Sequence, residues 1–212
     1  MLYESPTDSN TDVPVNPWMT IWTSPRETVR HVLSDNPAQW LWPLAFAGGL
    51  SRVLSRLAEL PLPDALEADA VLLIALVFGP FAGLILVFGV GRLLHFVLRK
   101  LGGTATWIES RTAILWSLAP SVPSLALWLI MLAGYGPLVI SPDAVENAVD
   151  PITKAILGFD YFVQFGLTLW MLALEVIMLA EVHRISAWRV LTGEIALGLA
   201  LIGLLTLALA VV

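Results

Sequence analysis

Apolar and polar positions fall in long blocks along this chain. From residue 38 onward, apolar stretches of some twenty residues are separated by short polar connectors. Such a stretch, as a helix, crosses the roughly 30 Å hydrocarbon core of a bilayer. The pattern predicts an all-α polytopic membrane bundle of five spans, over about residues 40–60, 70–98, 112–135, 155–182 and 190–212. Ahead of this domain (residues 38–212) lies a different pattern. Residues 1–17, MLYESPTDSNTDVPVNP, lack the basic start and apolar core of a signal peptide and read as a disordered cytoplasmic tail. Residues 18–37 predict a short amphipathic helix lying in the headgroup region. Ser24, Pro25 and Glu27 form a helix start with a capping box, Val29, Val32 and Leu33 supply an apolar face, and Trp18 and Trp22 anchor it.

Glycine and proline punctuate the spans. Gly79-Pro80 predicts a kink in the second, and Pro120 and Pro123 interrupt the third. Gly79 and Gly83 form a small-xxx-small pair that lets another helix approach, either within the chain or from another membrane protein or a second copy.

Composition supports the same class. The chain of 212 residues is 58% hydrophobic and 13% charged, too apolar for a soluble globule of this size, so the lipid bilayer is its first partner. It contains no cysteine, which removes disulfides, thiol nucleophiles and thiolate metal sites. A net charge of −6 argues against nucleic acid. The basic residues are distributed unevenly. Arg26, Arg30, Arg92, Arg99, Lys100, Arg111, Arg184 and Arg189 lie before the first span or in the second and fourth connectors, against Lys154 alone in the other two. The positive-inside rule then puts the N-terminus in the cytoplasm and the C-terminus outside.

The stretches NPWMTIWTSPRETVRHVL, residues 16–33, and LGGTATWIESRTAILWSLAP, residues 101–120, resemble bacterial Yip1-domain proteins. The five-span layout resembles them too, over residues 16–212. The resemblance implies a five-helix integral membrane domain whose eukaryotic relatives are implicated in vesicle trafficking and bind Rab-type GTPases. It implies no catalytic residues.

Charges inside spans are costly and mark candidate sites. Arg52, Arg56 and Glu59 share one face of the first span, and Asp160, Gln164, Thr168 and Glu175 form a stripe on the fourth. Equal depth predicts that these two spans pack together, with Arg52 or Arg56 paired to Asp160 or Gln164. At the inner side, Arg92 and His95 on the second span approach Glu175, Glu181 and His183 on the fourth, with Glu175 expected to face Arg92 or His95. No H-E-x-x-H pattern, Walker spacing or triad motif is present, so neither a metal, a cofactor nor an enzymatic reaction is predicted. Two roles remain. One is a membrane-organising or interaction scaffold, as the resemblance implies. The other is a transporter or channel whose polar pathway is lined by Arg52, Arg56, Asp160, Gln164 and Glu175.

Overall fold

The computed structural model describes residues 16–60, 68–140 and 144–211. Most of the predicted tail, most of the first connector and part of the third therefore lie outside the described residues. Within them the chain is helical, without strands. The elements are α1 (Pro17–Thr20), α2 (Pro25–Asp35), α3 (Leu41–Ala58), α4 (Ala68–Leu84), α5 (Gly91–Lys100), α6 (Trp107–Ser117), α7 (Ser121–Tyr135), α8 (Ala144–Asn147), α9 (Pro151–His183) and α10 (Ala187–Val211). A π-helical segment, Ile85–Val90, joins α4 to α5, and a 3-10 turn, Gly136–Ile140, follows α7.

Among the described residues, four helical stretches are long and apolar enough to cross a membrane: Asp69–Lys100, Trp107–Tyr135, Pro151–His183 and Ala187–Leu209. They coincide with the second to fifth predicted spans. The first predicted span is α3. It has 18 residues, and Arg52, Arg56 and two serines dilute its apolar content, so it does not qualify with the other four.

The strongest helix pairing is between α3 and α4. Gly49 and Gly83 make it possible. A Cβ on Gly49 would overlap the Gly79 carbonyl oxygen, and one on Gly83 would overlap the Ala45 carbonyl. Gly79 packs against the Leu50 backbone, where a Cβ would meet Cα at 2.8 Å. Ala45 opposes Gly83 and Leu50 opposes Gly79, so the two helices run antiparallel. Of the neighbours the glycine pair could admit, it is the chain's own α3 that covers this face. Pro80 sits inside α4, and the chain goes π-helical five residues later. The third span breaks where its prolines stand: α6 stops at Ser117, Pro120 caps α7, and Pro123 lies in the first turn of α7.

Two apolar cores hold the bundle. One surrounds Leu44, Leu98, Leu115, Trp116, Leu174 and Met178, the other Leu54, Val71, Trp128 and Leu132. The N-terminal segment belongs to the first. Ile21 and Val29 are completely buried, and Thr28 donates from its hydroxyl to Thr20 Oγ1 at 2.8 Å. Trp18 stacks edge-on to Trp40 and packs on the buried Trp116. The helix start at Pro25 and its end at Asp35 match the sequence signals, but the Ser24 side chain makes no capping bond. Its apolar face meets the protein where lipid contact was expected, because α9 and α6 offer a complementary surface there. A capping box forms elsewhere: Glu109 accepts from the Thr106 amide at 2.6 Å, and Thr106 Oγ1 accepts from the Glu109 amide.

Candidate functional site

The polar residues of the spans gather at three places. The largest is a cavity of about 470 Å³ bounded by α3, α7 and α9 and lined by Ser55, Glu59, Trp128, Asp160, Gln164 and Thr168 among others. Four of the six residues expected in the intramembrane cluster therefore meet at one cavity: Glu59, Asp160, Gln164 and Thr168. The expected ion pair does not form. Arg56 turns to Glu59 one turn away on its own helix, at 2.6 Å, and Asp160 Oδ1 is buried without a hydrogen-bond partner among the described residues. A local i,i+3 partner is available to Arg56 at no cost in reach, which explains the difference.

Helices α3 and α9 are linked through α7, by a chain of polar side chains. Ser124 on α7 donates to Gln164 Oε1 at 2.6 Å, and Gln164 Nε2 donates back to the Ser124 carbonyl. Ser124 has one hydroxyl hydrogen, so the 2.9 Å contact to the buried Ser51 is a bond donated by Ser51. The sequence reading did not single out Ser124, since a lone serine in an apolar span carries no signal of its partner.

The second place is at the other end of the bundle. Ser110 on α6 lies between His95 Nδ1, at 2.8 Å, and His183 Nε2, at 2.9 Å. It also bonds back to the Thr106 carbonyl at 3.1 Å. Donation to Thr106 with acceptance from both imidazoles uses the full capacity of one hydroxyl. Trp107 stacks edge-on to His95 and carries the Arg92 guanidinium 4.9 Å above its ring. Gly102-Gly103 builds the wall. Gly102 takes φ +94°, its amide bonds to Arg99 and the Gly103 amide to Leu98, the double bond of a Schellman cap. Gly103 then lies so close to His183 that a Cβ would meet Cγ at 2.9 Å. The Thr104 amide ties the loop to the His183 carbonyl at 3.1 Å. Arg184, in the left-handed region at φ 56°, ends α9 at this point.

The expected inner cluster therefore separates. Arg92, His95 and His183 meet, with Ser110 and Trp107 added. Glu181 faces α2 instead, 3.3 Å from Arg30 and 4.0 Å from Arg26, because α2 docks on the last turn of α9. Glu175 makes no ion pair with Arg92 or His95 among the described residues, and the charged groups that influence it are Arg52 on α3 and Glu194 on α10. Glu194 is the third place. Both its carboxylate oxygens are buried without partners among the described residues. The apolar run around it in the last span gave no reason to pair it with Glu175. Among the described residues no group of three or more His, Asp or Glu is placed to hold a metal.

The Yip1 domain matches residues 19–210. The chain belongs to the Yip1 family. The match takes in α2, both connectors that build the His95–Ser110–His183 contact, and nearly all of α10. This Yip1-domain chain is a multi-pass membrane protein. Neither a curated protein nor a solved structure matches it.

Proposed function

We propose that this Yip1-domain protein is a non-catalytic scaffold that organises or binds other membrane proteins through its helices. The observation that carries the reading is the last helix. Leu199, Ile202, Leu204, Leu205, Leu207 and Leu209 are each more than 60% exposed. These positions go right round the helix, so beyond Leu201 α10 turns no face toward its own bundle. The outer half of α9 is similarly bare at Phe159 and Phe162. Lipid covers such surfaces, and so does a helix from a partner. In this reading α3 is a fifth span, because it runs antiparallel along α4 at about 27 Å, close to bilayer thickness. The arginine bias puts the N-terminus and α2 on the cytoplasmic side of a bacterial inner membrane and the C-terminus outside.

A cysteine-free chain makes the test direct. A single Leu205→Cys variant in native membranes should form specific disulfide or bifunctional cross-links, and Ile152→Cys at the outer start of α9 serves for comparison. Leu205→Cys that cross-links to nothing at native expression overturns the scaffold reading.

The cavity favours a second reading, a transporter or channel with Arg52, Arg56, Asp160, Gln164 and Glu175 along its path. Of these, Asp160 and Gln164 line the cavity, and Arg52, Arg56 and Glu175 are not among its lining residues. Solute flux or ion current from purified protein in liposomes decides for it, and silence in both assays decides against it.

A further inference from the structure

We infer that the cavity between α3, α7 and α9 is a binding site for a small organic ammonium group that carries an oxygen acceptor, the chemistry of an amino alcohol or of an aminoalcohol lipid headgroup. This goes beyond the scaffold reading, since occupancy of the cavity requires neither a partner helix nor passage of the solute.

Three features specify the ligand. The first is charge. Two carboxylates line the cavity, and Glu59 is neutralised by Arg56 at 2.6 Å. Asp160 is left as the uncompensated acid, with Oδ1 buried and unpartnered among the described residues. A cation fits that place. The second is the surrounding surface. Trp128, Tyr161 and Phe165 line the same cavity, and aromatic rings beside a carboxylate favour alkylammonium over a hydrated metal ion. The third is a donor. Trp128 is 8% exposed, and its indole Nε1–H finds no acceptor among the described residues. A buried donor without a partner is costly, so an oxygen on the ligand would relieve it. Gln164 and Ser124 satisfy one another and hold the wall in place. At about 470 Å³ the cavity falls in the size range of small-molecule sites, roughly 300–1,000 Å³.

The test uses the full chain purified in detergent, with choline, ethanolamine and glycerophosphoethanolamine as probes and 3,3-dimethylbutan-1-ol as the uncharged analogue of choline. Calorimetric titration and thermal shift should both show saturable binding of the ammonium probes and none of the neutral alcohol. Asp160→Asn should weaken binding at least tenfold, and Asp150→Asn, outside the cavity, should leave it unchanged. If Asp160→Asn does not fold, Thr168→Leu, which narrows the cavity and makes its wall less polar, should also weaken binding. Binding of glycerophosphoethanolamine above the free amines assigns a lipid headgroup, and the reverse assigns a free amine. Equal binding of the neutral alcohol, or unchanged affinity in Asp160→Asn or in folded Thr168→Leu, overturns the inference. Cross-linking of Leu205→Cys is independent of all these results, so the two proposals fail separately.

Discussion

Gly49 of α3 and Gly83 of α4 stand backbone to backbone: a Cβ on Gly49 would lie 2.8 Å from the Gly83 Cα. Side chains on either helix would hold the pair apart, and the charged α3 would lose its longest contact. Gly49→Val should therefore destabilise the protein by about 1–3 kcal/mol or more, as overpacking does. Gly134→Ala in α7 is the control, because nothing lies within 4 Å of its Cβ position. It should be neutral or slightly stabilising. Melting of the two variants in detergent checks this, and equal melting temperatures would refute the close approach.

Ser110 supplies the only bond that either His95 or His183 makes through its ring among the described residues. Ser110→Ala leaves the fully buried His183 without one. The expected loss is about 1–3 kcal/mol, the cost of an orphaned buried polar group. Gly103→Ala should be at least as damaging, since the methyl group enters the His183 ring. Thermal unfolding of both variants beside Ser34→Ala, at an exposed serine, measures the difference.

The docking of α2 rests on burial more than on charge. Arg30 is 64% exposed at its side chain and Glu181 27%, so Glu181→Gln should cost only about 0.2–1 kcal/mol, less at high salt. Val29→Asp places a charge in a completely buried site and should release α2 altogether. Limited proteolysis between Thr23 and Asn36 reads both. Protection retained in Val29→Asp would mean that α2 is held by something other than its apolar face.

Asp150 caps α9, its Oδ1 accepting from the amides of Ile152 and Thr153 at 3.0 and 2.9 Å. These bonds, chiefly the one from Thr153, hold its carboxyl below the ordinary aspartate value. A group whose folded value is depressed contributes stability above its unfolded value and loses it as pH falls through the folded one. The contribution should thus be complete above about pH 4 and fade below it. Asp150→Ala should lower the melting temperature at pH 7 and make no difference near pH 2. A gap that persists unchanged at low pH would exclude the cap.

Topology has its own check. A reporter active only outside the cytoplasm, fused after Val212, should give signal, and signal from a cytoplasm-only reporter there would reverse the orientation.

The sequence by itself determined the class and most element boundaries. Apolar runs of bilayer length require helices, since backbone groups in hydrocarbon have to bond within their own segment. Pro25, Pro120 and Gly102-Gly103 mark ends and breaks because proline lacks an amide hydrogen and glycine tolerates positive φ. Of the polar residues inside spans, Glu59, Asp160, Gln164 and Thr168 do meet at one cavity. Partner choice was decided only by tertiary structure. Arg56 had candidates on two helices and took the nearer, Glu59. Glu181 turned to Arg30 because α2 folds back onto α9. Ser110 and Ser124, ordinary serines in the sequence, became the centres of polar contacts joining helices. Periodicity gives the face a side chain occupies and its depth. It does not give which neighbour presents the matching face at that depth, because that depends on how glycines such as Gly49 and Gly83 let the helices approach.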